Sequence, residues 1–376
     1  MTQLDVAARA TATGTPPSSR PVVLMFPGQG AQQTRMAAGL YRACPVFTAA
    51  VDEVLNCFGP AASGLRADWL ADRPRVGIDD VSRAQPLLFA VNYALGRMVL
   101  DWGVRPAALL GHSVGEVAAA TLAGVFRVAD AARLLADRVE QAARAPAGGM
   151  LAVAASVAEV RPHLAPGVAV GAVNAPRQTM LAGLDAALAE TTRRLHAAGL
   201  VCRRLGSSVA FHSPAAAHLV DEALPGLARM TLREPLLPLW SAYTTRPLTA
   251  DTARDPGFWA GHAATPVRFW PTLDRLLGAG DALLVDASPG QSLAAAARRH
   301  PAVAAGRSAV VGLLPARRGR DEADRAATMA AAERVRAEGH DIAVPDLATA
   351  VPQPSIATDP PGRPTAGGPP PRRSRP

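Results

Sequence analysis

The hexapeptide Gly111-His112-Ser113-Val114-Gly115-Glu116 is the stretch of this chain best suited to covalent chemistry. It follows a short apolar run, Ala107-Ala108-Leu109-Leu110, which reads as a buried strand. It precedes a helix predicted over Glu116 to Ala123. A Gly-x-Ser-x-Gly sequence between a strand and a helix makes a nucleophile elbow. The glycines permit a sharp turn that lifts the Ser113 hydroxyl out of the sheet edge, at a helix N-terminus. There the helix dipole and the free N–H of Val114 face any negative charge developing beside the serine.

A serine hydroxyl is a weak nucleophile and needs a base. The chain has eight histidines, and position alone does not choose among them. His112 adjoins the serine, but its side chain is expected on the other side of the turn. The order Ser113…Asp286…His300 would suit a serine hydrolase or thioesterase. The three cysteines, Cys44, Cys57 and Cys202, are odd in number and lack close pair spacing. They suggest reduced thiols in a cytoplasmic protein, with neither a disulfide framework nor a zinc or other metal site.

The elements that must position these groups can be read from apolar spacing. Val22-Val23-Leu24-Met25-Phe26 lies between Pro21 and Pro27 and reads as a buried strand. Leu88, Val91, Leu95 and Met98 recur at helical spacing over 84–101, a helix that Gly103 ends. Strand, helix, strand, tight turn and helix imply a parallel sheet with helices on its faces.

From Met150 the pattern changes. Strands are predicted at Met150–Ser156, Val168–Val173, Thr179–Leu184 and Val201–Leu205, with helices at Val157–Leu164 and Asp185–Ala198. That order, βαββαβ, is the ferredoxin-like signature. The fold class expected is α/β: an α/β-hydrolase-like parallel-sheet subdomain (21–148 and 207–315) with an inserted ferredoxin-like subdomain (149–206). Residues 1–20 read as a flexible lead-in and 316–344 as a helical segment. Residues 345–376, rich in Pro, Gly and Arg, read as a disordered tail.

Composition narrows the function. The chain has 376 residues, 49% of them hydrophobic and 19% charged, which supports a packed core. No apolar run approaches the roughly 18 residues of a transmembrane helix, and the first twenty residues do not read as a signal peptide. The net charge is +8 and every basic residue is Arg. Aromatics are only 4% and do not interleave with the arginines, so nucleic-acid binding is not expected. An acidic protein partner is the better use of the surplus charge.

The elbow, together with Phe26-Pro27-Gly28-Gln29-Gly30, resembles the acyl-CoA:acyl-carrier-protein acyltransferase family. That family includes malonyl transacylases and the acyltransferase domains of polyketide synthases. Further matches come in the family's order: Gln85-Pro86, Asn174 in Val173-Asn174-Ala175-Pro176, Phe211-His212-Ser213, Pro266-Val267-Arg268-Phe269 and Ser288-Pro289-Gly290. Gly-Arg-Asp-Glu at 319–322 is similar to the segment that follows the acyltransferase in polyketide synthases.

The resemblance implies roles. His212 would be the base, oriented by a backbone carbonyl, so that Ser113 and His212 form a dyad. The N–H groups of Gln29 and Val114 would form the oxyanion hole, the flanking glycines letting the Gln29 backbone approach closely. Arg138, rather than the nearby Arg133 or Arg144, would grip the free carboxylate of a malonyl-type substrate with its planar fork. Phe211, Gln85 and Asn174 would line the substrate site. Val209-Ala210-Phe211-His212 is closer to the malonyl-type pattern than to the methylmalonyl-type one, with Val209 departing from the usual His. Arg35 departs where the family has Gly before Met36, which bears on the shape of that loop. His262 matches a family position away from the chemistry.

The function implied is transfer of a malonyl-type group from acyl-CoA to the phosphopantetheine thiol of an acyl carrier protein. It would run through a Ser113 acyl-enzyme and serve polyketide or fatty-acid biosynthesis. No cofactor is expected to be bound permanently, and acyl-CoA enters as substrate. A discrete enzyme is expected, because the chain carries no ketosynthase or carrier domain, and it is expected to be monomeric and cytoplasmic. Two alternatives stay open: the hydrolase arrangement above, and a non-catalytic carrier-docking protein.

Overall fold

Val22–Phe26 is apolar and buried at all five positions and forms β1, as a central strand covered on both faces requires. The computed structural model describes residues 19–344 and Leu347. The expected lead-in, up to residue 18, and the Pro-rich tail other than Leu347 lie outside the described residues, and Leu347 itself is buried in the large core rather than free.

Around β1 stand β2 (Ala108–Gly111), β7 (Leu239–Ser241), β8 (Arg246–Pro247), β9 (Leu283–Asp286) and β10 (Ala309–Gly312). They form a six-stranded sheet in the order β10-β9-β1-β2-β7-β8. All neighbours are parallel except β8, which turns back antiparallel on β7. The chain runs from β1 outward to β2 and β7, then returns to β9 on the other edge of β1. The order reverses between β1 and β9, so the carboxyl end of β1 borders a topological switch point, where open parallel sheets bind ligands. Helices pack on both faces. Val81–Asp101 is the longest, and its N-cap Asp80 accepts from the Ser82 N–H.

The remaining strands are β3 (Gly148–Val153), β4 (Ala169–Ala175), β5 (Gln178–Leu184) and β6 (Cys202–Arg204). They make a separate antiparallel sheet in the order β4-β5-β3-β6. With a helix at Val157–Val160 between β3 and β4 and one at Asp185–Ala197 between β5 and β6, this is the expected βαββαβ unit. The first helix is shorter than the sequence suggests. It gives way to a 3-10 turn at Arg161–His163, where Pro162 lacks the N–H an α-helix would use. One face of this sheet packs Leu151, Val153, Leu181, Leu188 and Leu195 into its own core. Met150, Ala152 and Leu205 turn the other way, onto Phe269, Leu273 and Leu293 of the large unit. A single parallel bridge, Ala172 with Val267, ties β4 to the segment around residue 267.

The segment after β10 is helical at Asp321–Ala337 and packs back onto the loop after β1. Arg35 explains its departure from the glycine pattern. It sits at φ 59° and its guanidinium grips both oxygens of Asp321, at 2.6 and 2.8 Å, and the Leu70 carbonyl. Among the described residues no helix is long and apolar enough to cross a membrane.

Candidate active site

Gly111 ends β2 and the helix Val114–Leu122 begins three residues later, so the turn between them is as short as the sequence indicated. Ser113 occupies the turn with φ 54° and ψ −121°, a conformation that costs energy for any residue with a side chain. The helix can sit against β1 because Gly115 has no side chain. A Cβ there would lie 2.2 Å from the Phe26 carbonyl oxygen. Gly28 does the same for the loop after β1. A Cβ there would come within 3.0 Å of Ser113 Cβ, so the Gln29 backbone runs beside the nucleophile.

Ser113 Oγ lies 2.9 Å from His212 Nε2. The other ring nitrogen, Nδ1, is 3.1 Å from the Thr265 carbonyl oxygen. A carbonyl only accepts, so Nδ1 carries the proton and Nε2 is free to accept from the serine. The His212 backbone is also held, its N–H donating to the Ala263 carbonyl at 2.6 Å. His212 has φ 64°. Its imidazole is pushed down to about 3, first by burial, then by His112 and Arg138, against the Thr265 carbonyl. It is therefore neutral at physiological pH, the state a general base needs.

A cavity of about 50 Å³ opens on this pair. Gln29, Gln85, Arg138, Asn174 and Phe211 all line it. Gln85 Nε2 donates to Gln29 Oε1 at 3.3 Å, fixing that side chain. Among the described residues the N–H groups of Gln29 and Val114 make no hydrogen bond within the chain. Phe211 packs with Val209 and Ala142, which puts its ring against the helix Val128–Arg144 that carries Arg138.

Arg138 is 7% exposed and, among the described residues, has neither a carboxylate within 4.0 Å nor a hydrogen bond from its guanidinium. Burial lowers its pKa, with Tyr243 acting the other way. A guanidinium still keeps its charge. The neighbours on its helix differ: Arg144 pairs with Glu222 at the surface at 2.9 Å, and Arg133 is exposed.

Two expectations are corrected. The His112 side chain does not leave the site: it lines the same cavity, with Nε2 2.9 Å from Asn174 Oδ1 and Nδ1 buried without a partner. Burial lowers its pKa, against the hydrogen bond to Asn174. Past the bend at Ser113 the Val114 side chain enters the core of the large sheet, while the His112 ring faces Asn174 of the small one, which strand alternation alone did not anticipate. His262 is likewise part of the cavity wall, stacked on the Tyr243 ring at 3.8 Å between centroids. The Asp286 and His300 of the hydrolase arrangement stand apart from Ser113. Asp286 accepts from Ser288 and the Ala294 N–H, while His300 Nε2 pairs with Asp274 at 3.2 Å.

Sequence reasoning missed Glu116 and Tyr243. Glu116 is fully buried, and its Oε2 accepts from the Ala242 N–H at 2.9 Å. Its Oε1 lies 3.9 Å from His262 Nε2, and both atoms lack a hydrogen-bond partner. Burial pushes this carboxyl up to about 8, against hydrogen bonds from Ser241 and Ala242, so it is protonated at neutral pH. Its place in the first turn of the elbow helix was a visible signal; Tyr243 belongs to no motif.

Residues 23–349 match the family described as acyl transferase domain. The chain is 38% identical over 331 residues to a type I polyketide synthase of phenolphthiocerol synthesis from Mycobacterium bovis, covering 87% of this chain and 15% of that protein. It is 35% identical over 316 residues to the polyketide synthase GfsA of Streptomyces halstedii, covering 79% of this chain and 4% of that protein. It thus spans about a fifth or less of the curated relatives it matches. The acyltransferase domain from the second module of the salinomycin polyketide synthase superposes with a TM-score of 0.76 at 36% identity, over 86% of this chain and 75% of that one. The malonyl CoA-acyl carrier protein transacylase of Coxiella burnetii shares the fold, with a TM-score of 0.71 at 24% identity over 85% and 98% of the two chains.

Proposed function

Because this chain belongs to the acyl transferase domain family, we propose that it moves a malonyl-type acyl group from CoA to the phosphopantetheine thiol of an acyl carrier protein. The observation that carries the proposal is the 2.9 Å contact between Ser113 Oγ and a neutral His212, in one cavity with a buried, unpaired Arg138.

The reaction runs in two halves. Ser113 Oγ attacks the thioester carbonyl while His212 Nε2 takes its proton. The carbonyl oxygen becomes an oxyanion between the N–H groups of Gln29 and Val114. Collapse breaks the C–S bond, and the leaving CoA sulfur receives the proton from His212. The carrier thiol then gives its proton to the same nitrogen and attacks the serine ester. The acyl group leaves on the carrier, and Ser113 recovers its proton.

Arg138 supports the choice of substrate. A buried guanidinium without a protein carboxylate suits a ligand that supplies one, and the free carboxylate of a malonyl group does. The small cavity favours a short acyl group, and Phe211 crowds the place where a branch methyl would sit. One methyl is worth about 1–3 kcal/mol, which makes this a preference. The test is incubation with malonyl-CoA followed by intact mass. A malonyl adduct on Ser113 that persists in water and discharges to a holo-carrier supports transfer; rapid loss to water alone would make the protein a hydrolase.

A further inference from the structure

The face of the small sheet that closes over Ser113 continues past the cavity. Met150 and Leu205 form one row across β3 and the end of β6, and both line the cavity. The next row on that face, about 7 Å along the strands, is Met180, Ala152 and Arg203, paired across β5, β3 and β6. Met180 still lines the cavity, whereas Ala152 and Arg203 line a second space, a groove of about 340 Å³. The two spaces therefore adjoin within a single row of side chains.

The lining of the groove holds three arginines, Arg177, Arg203 and Arg299, and no carboxylate. Arg177 is already held by Glu159, with 2.8 Å to each oxygen. Arg203 and Arg299 are exposed, and among the described residues neither guanidinium has an ion-pair or hydrogen-bond partner. They come from opposite sides. Arg203 lies on β6 of the small sheet, and Arg299 follows the helix Ser292–Ala297 of the large unit. Val201, 73% exposed, adds an apolar wall. The groove thus lies in the same interface as Ser113, presents two free cationic forks, and has apolar surface leading to them.

Resting on the acyl-transfer reading, we infer that this groove binds the phosphate ester at the far end of the pantetheine arm whose thiol end reaches Ser113. The arm is apolar and amide-rich, and its phosphate is an anion that a guanidinium fork recognises well. CoA and the prosthetic arm of a carrier share this phosphate. The groove would therefore serve both halves of the reaction, while Arg138 serves only the acyl carboxylate.

The test compares three donors that differ in the group attached beyond the pantetheine: malonyl-CoA, malonyl-4′-phosphopantetheine and malonyl-pantetheine. Acyl-enzyme formation is read by mass for the wild type and for Arg203→Ala/Arg299→Ala. In the double variant, the kcat/KM ratio of the phosphorylated donors to malonyl-pantetheine should fall about tenfold, through KM, the scale of losing two exposed charge-assisted contacts. Added salt should shrink the difference between the proteins. A fall for both phosphorylated donors assigns the groove to the shared phosphate. A fall for malonyl-CoA alone shifts the site to the nucleotide phosphates and overturns the inference, as does an unchanged ratio. If the wild type takes no label from any donor, the acyl-transfer reading fails. Calorimetric titration with 4′-phosphopantetheine then decides the groove: weaker binding to the double variant sustains it, and equal binding removes it.

Discussion

Ser113 and His212, 99 residues apart in the chain, face each other at 2.9 Å with both backbones in positive φ, 54° and 64°. Residues with side chains rarely adopt such angles, and each costs about 1–3 kcal/mol. The fold absorbs the cost on both sides of one contact. At Ser113 the sheet and the elbow helix impose the bend. At His212 the carbonyls of Ala263 and Thr265 hold the main chain and the ring.

Ser113 should therefore be a position where function and stability oppose one another. Ser113→Ala should abolish the covalent acyl adduct by intact mass, and an adduct of normal yield would move the nucleophile elsewhere. Ser113→Gly should abolish it too, yet raise stability by about 1 kcal/mol in denaturant unfolding, because glycine adopts the bend without strain. A less stable glycine variant would contradict the strain at this residue.

Arg138→Ala should reduce loading from malonyl-CoA far more than loading from acetyl-CoA, which lacks the second carboxylate. Losing a buried charge-assisted pair predicts a change in that ratio of at least about tenfold. Equal losses for the two donors would show that Arg138 shapes the site without gripping the carboxylate.

Phe211→Ser should raise the use of methylmalonyl-CoA relative to malonyl-CoA, because the ring fills space between the Arg138 helix and His212. The shift should lie within the fivefold to two-hundredfold range that about 1–3 kcal/mol allows. Competition between the two donors, read by the mass of the acyl-enzyme, measures it. An unchanged ratio would remove Phe211 from the selectivity argument.

The buried groups also predict the pH response. With His212 held down to about 3, the single-turnover rate of acylation should show no inflection near 6.5, and a step there would contradict the neutral dyad. Stability should respond differently. The folded Glu116 stays protonated up to about 8, while unfolded it ionises near 4.5. The folded state therefore binds more protons across that window, and this group's contribution is lost as pH rises through it. The buried histidines His112, His212 and His262 act in the opposite sense, losing stability as pH falls below 6.5. Glu116→Gln removes only the first effect. Its Tm relative to wild type should rise between about pH 5 and pH 8, by an amount on the order of a few kcal/mol in stability. A difference that is flat with pH would mean that Glu116 is ionised when folded.

The elbow, β1, β2 and the βαββαβ order were legible because each rests on local rules. Glycine spacing sets the turn, apolar runs set buried strands, and alternation sets which face of a strand is covered. The βαββαβ insert shows the same reach and the same edge: its strands fell within a few residues, but Pro162 shortened its first helix. Arg35 shows where local reading stops. Its unusual residue type was visible, but its partner Asp321 is supplied by a helix 286 residues away.

By itself, then, the sequence determined the kind of chemistry available: a serine at a strand-to-helix turn, a candidate base in a distant loop, and an arginine on the following helix. Only the tertiary structure decided which side chains share the cavity. It placed His112 and His262 inside, gathered Glu116 and Tyr243 around them, left Arg138 without a partner among the described residues, and kept His300 and Asp286 in hydrogen bonds elsewhere. The reason is physical. Turn and strand preferences act over a few residues, whereas the company a buried side chain keeps depends on how two sheets and the loops between them pack.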